Sequence, residues 1–312
     1  AKGKVMYVWF DAPIGYISST KEWAERENKN WEDYWKKPDT KLIHFIGKDN
    51  IVFHCIIFPS ILKAHGEFIL PENVPANEFL NLEGKKISTS NNWAIWLEEY
   101  LKDFKNMQDS LRYTLTVNSP ENKDNDFTWK DFQSRNNNEL VAIFGNFINR
   151  IFVLTEKYFD NIIPKYDELD SNQIIKIYDY VSLISHSLDK FKFRDAVNHL
   201  IDLARTGNKY LADKEPWKLH KENNIKEVEQ IIYTSLETCA LLSILSEPFI
   251  PNSAKKIRDI LDINLVNWTR LKSSDKIIQP GHKIKKSYLI FRKIEDDEVE
   301  KQLKKLNSNV KS

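Results

Sequence analysis

Three short stretches of this sequence carry side chains able to act on a nucleotide or an amino acid. "GKKISTSNNW" (84–93) sets two lysines before a run of hydroxyls and amides. Lys86 is a point cation that can reach phosphate oxygens. Ser88, Thr89 and Ser90 add hydroxyl donors, and successive N–H groups in such a loop can form an anion-binding nest. A flexible loop of this kind can close over a reacting nucleotide. A plain polar turn accounts for the same letters. "FIGKDNIVFH" (45–54) pairs Gly47, where a backbone can approach a ligand, with Asp49, which can accept hydrogen bonds from a ribose diol. The helix expected after it offers free N–H groups at its positive end. "WFDAPIGY" (9–16) bends at Pro13 and Gly15 and brings Trp9 and Tyr16 close to the bend. Strand–turn–helix joins with a capping aspartate, a core Phe53 and a core His54 explain both stretches equally well. Trp9, Trp93 and Trp96 likewise suit a core.

A second group of residues suits nucleic acid. Ala142, Asn146 and Arg150 are spaced i, i+4, i+8, which on an α-helix forms one stripe apart from the apolar face. Asn and Arg one turn apart can hydrogen-bond unstacked base edges. "EPWK" (215–218) breaks a helix at Pro216 and can present Trp217 as a stacking platform. A solvated helix face and a tryptophan packed under a loop are the plainer alternatives. The charge run "KIEDDEVEKQLKK" (293–305) reads as a solvated helix face.

The elements that must position these residues change character along the chain. "VMYVWF" (5–10) and "LIHFIG" (42–47) are near-continuous apolar runs of strand length, which suit a parallel sheet covered on both faces. "EFLNL" (78–82) is a third strand candidate. Helices are expected over 50–66, capped by Asp49 or Asn50 and ended by Gly66, and over 93–104 and 108–118. Strand alternating with helix predicts an α/β domain. From about residue 131 the strand signals stop. Helical periods run over 131–159, 172–191, 193–213 and 227–249, with breaks at Pro164, Pro216 and Pro248 to Pro251. That pattern predicts an all-α antiparallel bundle. The boundary falls in "SPENKDNDFTW" (119–129), giving domains of 1–125 and 126–312.

Composition narrows the class. At about 150 residues per domain, 312 residues suit two domains. A net charge of +1 means that any nucleic acid must bind a local patch. Cys55 and Cys239 make no disulfide framework and no CxxC pair, which excludes a zinc ribbon and fits a reducing cytosol. No uninterrupted apolar run approaches the roughly 18 residues of a membrane span, so no membrane partner is expected. The abrupt start at "AKGKVMYVWF" predicts a piece of a longer protein.

The order of "YVWFDAPIGY", "FIGKDNIVFH", "LEGKKISTS", "FGNFINR" and "DKEPW" closely resembles the methionyl-tRNA synthetase family, class I aminoacyl-tRNA synthetases. The resemblance runs from about Val5 to "GHKIKK" (281–286), nearly the whole chain. It makes the polar loop the family's Lys-Met-Ser-Lys-Ser signature, here Lys86-Ile87-Ser88-Thr89-Ser90. It implies that 1–125 is the second half of a Rossmann-type nucleotide-binding domain with its phosphate loop, and 126–312 an anticodon-binding domain. The implied methionine pocket is Trp9, Ala12, Pro13, Tyr16, Phe53 and His54, whose aromatic edges suit a thioether. Gly47, Asp49, Lys86 and Thr89 are implied to bind ATP, and Lys86, Ser88, Thr89 and Ser90 to act at its phosphates. Asn146, Arg150 and Trp217 are implied to face the anticodon CAU. Mg²⁺ with ATP is the implied cofactor set, and tRNA(Met) and L-methionine are the implied partners, in the cytoplasm. The implied reaction is attack of the methionine carboxylate on the α-phosphate of ATP, then transfer of the methionyl group to the tRNA 3′ end.

Four departures qualify the resemblance. The family's His-x-Gly-His motif is absent, and so is the zinc-bearing insertion that would precede "VMYVWF", so zinc is expected only outside this chain. The chain alone is therefore expected not to form methionyl-adenylate. Thr89 stands where the family commonly has its second lysine, so Lys85, Lys86, Mg²⁺ and loop N–H groups are expected to share that charge. Ala142 stands where an anticodon-facing Asn is common, so that contact is not carried over. Three other readings compete. They are a non-catalytic tRNA-binding module, a sister class I synthetase for cysteine, valine, leucine or isoleucine, and a purely structural helical scaffold.

Overall fold

A computed structural model describes residues 2–308 apart from 6, 167–169, 269–270 and 273. The chain divides into two compact units, Ala1–Leu80 with Pro120–Asn125, and Asn81–Ser119 with Asp126–Ser312.

The first unit begins with a correction. Met6 lies outside the described residues, and the rest of the expected first strand is no strand: Val8–Phe10 form one 3₁₀ turn. A strand needs a ladder for its N–H groups. No ladder partner for this run exists among the described residues, and Val5, Tyr7 and Val8 are exposed. The turn leads at Pro13 into α1 (Ile14–Arg26), followed by the single turn α2 (Glu32–Trp35). "LIHFIG" is split into β1 (Leu42–Ile43) and β2 (Ile46–Gly47). A 3₁₀ turn (Lys48–Asn50), a π segment (Phe53–Ile57) and α3 (Phe58–His65) then run as one rod, left at Gly66 in the left-handed conformation. Neither Asp49 nor Asn50 caps that rod through its side chain, contrary to expectation. β1 pairs in parallel with β3 (Pro71–Asn73) and β2 with β4 (Ala76–Asn77), with a register shift in the first pair. The parallel chemistry is thus as expected, but in two short ladders rather than one covered sheet. Trp35, Phe58 and Leu62 form the buried centre of this unit.

The second unit holds all but Leu80 and Asn125 of a three-stranded sheet in the order β6 (Lys85–Lys86), β5 (Leu80–Leu82), β7 (Asn125–Phe127), with β5 and β6 antiparallel. Between them run α4 (Leu97–Asp103) and α5 (Gln108–Val117). α4 starts later than periodicity suggested, because Trp93 is held in a bridge to Ser88. Its indole donates to the Leu82 carbonyl at 2.9 Å. α6 (Trp129–Arg135) is capped by the Thr128 hydroxyl, which accepts from the Asp131 N–H at 3.0 Å. It passes without a break through a ten-residue π segment (Asn136–Gly145) into α7 (Asn146–Phe159).

α8 (Ser171–Asp189), α9 (Phe193–Lys214), the short α10 (Pro216–Lys221), α11 (Ile225–Leu245) and α12 (Pro251–Leu261) complete the bundle, with prolines opening α10 and α12. At those first helical positions a missing N–H costs nothing. Gly207 on α9 is required by close approach: a Cβ there would lie 2.5 Å from the Phe147 ring of α7. α11 is long and apolar enough to cross a membrane, which the run-length reading missed, yet 89% of its most apolar window is buried inside the protein. An extended strap over 275–294 then laces the bundle. Glu237, buried on α11, accepts from the N–H groups of Ile277 and Ile278 at 2.9 and 3.2 Å and from the Tyr178 hydroxyl at 2.7 Å. The strap ends in α13 (Asp296–Ser308), which buries Val299, Gln302 and Leu306. The charge run is therefore a docked amphipathic helix rather than a wholly solvated one.

Candidate functional sites

In the first unit four of the expected pocket residues meet. Trp9 stacks on Phe53 with centroids 5.0 Å apart and stands edge-on to His54 at 5.8 Å. The Tyr16 hydroxyl lies 2.9 Å from His54 Nε2, and His54 Nδ1 lies 3.0 Å from the Asn50 carbonyl oxygen. A carbonyl can only accept, so Nδ1 carries a proton; in the neutral ring Nε2 then accepts from Tyr16. His54 is buried and Tyr16 half exposed, so the pair joins core to surface. Both Phe53 and His54 sit in the π segment, a helix form frequent at functional sites. Pro13 is buried where α1 starts, while Ala12 is exposed with no side-chain contact described. His44 was missed. It lies 5.3 Å from His54 and 5.5 Å from Tyr16, buried, with Nε2 lacking a hydrogen-bond partner among the described residues. Burial, and then His54, hold its pKa below the usual imidazole range. The signal available was a histidine inside an apolar strand run.

Gly47 and Asp49 also come together. The Asp49 carboxylate folds back so that its Oδ1 would lie 2.8 Å from any Cβ on Gly47. Asp49 is exposed and has no hydrogen-bond partner among the described residues. The lysine between them is taken up elsewhere. Lys48 Nζ contacts Glu78 and Asp124, each at 2.6 Å, and lies 4.4 Å over the Phe79 ring.

The second unit holds the polar loop, which is a tight hairpin. Ser88 and Trp93 exchange backbone hydrogen bonds at 2.9 and 2.8 Å, and the Asn92 N–H closes the turn on the Thr89 carbonyl at 3.1 Å. The Ser88 and Ser90 hydroxyls are 3.1 Å apart, and the Asn91 N–H donates to Ser88 Oγ at 3.3 Å. The stretch is thus a polar turn with the Ser88 and Ser90 hydroxyls side by side. The hairpin root is tied down: the Gly84 N–H donates to both Asp126 carboxylate oxygens, at 3.0 and 2.9 Å. Lys85 Nζ rests 4.6 Å over the Trp93 ring. Adjacent strand residues point to opposite faces, so Lys86 faces away from that ring.

On the bundle, Arg150 lies over the Trp217 ring at 5.4 Å. The "EPWK" break is a sharp corner: Glu215 takes φ 44° and Pro216 opens α10, which swings Trp217 onto α7. Asn146 is exposed one turn before Arg150. Ala142, four residues before Asn146 and also exposed, sits in the π segment. One pair missed by sequence reasoning lies along the same two helices, Tyr158 stacked on His220 at 4.0 Å.

Comparison with known proteins extends these observations. Residues 1–152 match the family model "tRNA synthetases class I (M)", and residues 164–310 match "Anticodon binding domain of methionyl tRNA ligase". The chain is 60% identical to the methionine–tRNA ligase of Christiangramia forsetii over 98% of the chain and 45% of that protein. It is 56% identical to that of Flavobacterium psychrophilum over 99% of the chain and 45% of that protein. It thus spans about half the length of the curated relatives it matches. In fold it is similar to the apo methionyl-tRNA synthetase of Mycobacterium tuberculosis, with a TM-score of 0.78 at 23% identity, over 93% of this chain and 56% of that one. It is equally similar to that enzyme bound by methionyl-adenylate, with a TM-score of 0.78 at 24% identity over 92% of this chain and 56% of that one.

Proposed function

We propose that this chain, which belongs to the methionyl-tRNA synthetase family, supplies the second half of the amino-acid-activating domain and the anticodon-reading bundle of a cytoplasmic methionine–tRNA ligase. Residues 1–125 take the activating part and 126–312 the reading part. The observation that carries the reading is the cluster of Trp9, Phe53, His54 and Tyr16. Aromatic edges around one internally satisfied polar pair suit a soft thioether. Ala12 and Pro13, which follow Trp9 in the chain, complete the pocket in this reading.

In the reaction, a carboxylate oxygen of methionine bonds to the α-phosphorus of ATP while the bond to the bridging oxygen of pyrophosphate breaks. The methionyl group then passes to the tRNA 3′ end. Asp49 accepts from the ribose diol beside Gly47. Lys86 stabilises charge on the leaving pyrophosphate, with Ser88, Thr89 and Ser90 as hydroxyl donors. Among the described residues no three metal-ligating side chains gather. Mg²⁺ commonly binds through one or two carboxylates plus substrate phosphates; here the phosphates of ATP would hold it, and it would neutralise their charge. Asn146 and Arg150 hydrogen-bond base edges of CAU, and Trp217 stacks on a base.

Methionine-dependent ATP–pyrophosphate exchange by the full-length protein tests the activity; its absence there overturns the reading. The chain alone is expected to give only background exchange, and exchange above background would show that the activating half is complete without further sequence. Gel shifts with the chain should favour tRNA bearing CAU over other anticodons. Equal binding would remove the anticodon role.

A further inference from the structure

We propose that α13 is the mount of the 88–93 hairpin and that Lys305 is a positioning residue for it. The hairpin is held from below by α4, whose start lies four residues beyond Trp93. Trp96, the residue just before α4, donates its indole N–H to Asn92 Oδ1 at 2.8 Å, and the Tyr100 N–H of α4 donates to the Trp96 carbonyl at 2.9 Å. α4 therefore fixes Asn92, the residue that closes the turn at φ 53°.

α4 is only seven residues long, with no side-chain cap at its start. Helices this short are marginal on their own and hold through tertiary contacts. Two of its three carboxylates are engaged by α13. Lys305 Nζ bridges Glu99 at 2.7 Å and Asp103 at 3.1 Å. Gln302 donates to Asp103 at 2.8 Å from a largely buried position. These partners, Gln302 first, hold the Asp103 carboxyl below its ordinary range, and Glu99 first, Asp103 next, hold the Lys305 ammonium above its own. A small half-open space of about 20 Å³ is lined by Ala94, Ile95, Trp96, Tyr100 and Leu306 with these polar groups, where α13 meets the segment leaving the hairpin. α13 is itself fixed at its start, since Gln133 donates to Asp296 and to the Ile294 carbonyl at 2.9 and 3.1 Å. The hairpin thus has two supports, Asp126 at its root and α13 through α4.

The mount stands on the contacts alone; its effect on activity rests on the proposed phosphate role of the hairpin. The test compares Lys305→Met and Lys305→Arg. In the chain, amide exchange at Ser88, Asn92 and Trp93 should rise at least threefold in Lys305→Met and stay within twofold in Lys305→Arg, while α9 and α11 amides are unchanged. In the full-length protein, Lys305→Met should lower the pyrophosphate-exchange rate by a similar factor, with the KM for methionine unmoved and Lys305→Arg near wild type. If hairpin amides do not respond to Lys305→Met while α9 and α11 hold, the mount is overturned. A methionine KM that shifts with the rate would also overturn it, since that marks a general loss of structure. Faster hairpin exchange with an unchanged rate would support the mount and instead remove the phosphate role of the hairpin.

Discussion

Lys85 and Lys86 are neighbours in sequence with different surroundings. Lys85 already rests on the Trp93 ring, so moving it to a phosphate means giving up a contact of about 0.5–1 kcal/mol. Lys86 points to the other face of β6. In the full-length protein Lys86→Ala should lower the adenylation rate at least tenfold, and Lys85→Ala should lower it less than about fivefold, the scale of an exposed cation–π contact. Single-turnover adenylate formation measures both; the reverse order would transfer the principal charge to Lys85. On the bundle, Trp217→Ala should weaken tRNA binding by about 1–3 kcal/mol, the worth of one stacked base. It also strips Arg150 of its ring, so Arg150→Ala and Trp217→Ala should be non-additive when filter binding is measured for the double variant.

Among the elements, the long helices were legible because their 3.6-residue period is local and their prolines punctuate it. The strand over 5–10 was not, because a ladder depends on a partner elsewhere in the chain, and apolar letters cannot report one. The two π segments were invisible for another reason. Their letters, "FHCII" and "NNNELVAIFG", carry no signature of π geometry, and only the hydrogen-bond register marks them. The site residues fared unevenly. Trp9, Phe53, His54 and Tyr16 were grouped by the family resemblance, since their letters alone suited a core equally well, and they do meet. His44 was passed over as part of a strand, and the contact of Arg150 with Trp217 depends on the corner at Glu215. Where α7 and α9 cross, Gly207→Ala should destabilise the bundle by about 1–3 kcal/mol through overpacking against Phe147. Urea denaturation reads this directly; a neutral result would mean that the Phe147 ring yields freely.

At the scale of the second unit, Glu237 makes stability depend on pH. Burial, the largest influence, raises its pKa, against the pull of the Ile277 N–H, the Tyr178 hydroxyl, the Ile278 N–H and Lys276. The Tyr178 hydroxyl also lies 2.6 Å from the Asp275 carbonyl oxygen. From the ordinary glutamate value of 4.5 up to the raised folded value, the folded state binds more protons than the unfolded. This group therefore makes stability fall as pH rises through that window. Glu237→Gln should flatten the slope of Tm against pH there, and an unchanged slope would mean that the carboxylate is ionised in the folded protein.

The ten-residue π segment ahead of α7 also bears on how this protein can change over generations. A π segment holds more residues per turn than an α-helix, so losing one residue between 136 and 145 need not break the rod. It would let the tract tighten toward α geometry and rotate α7 against α6 by on the order of 100°. Asn146 and Arg150 would swing away from Trp217 while every letter of the recognition face stayed the same. If that face reads bases as proposed, a single-codon deletion just ahead of Asn146 would act on recognition as strongly as replacing the contact residues. Length in this tract should accordingly be held more strictly than its composition.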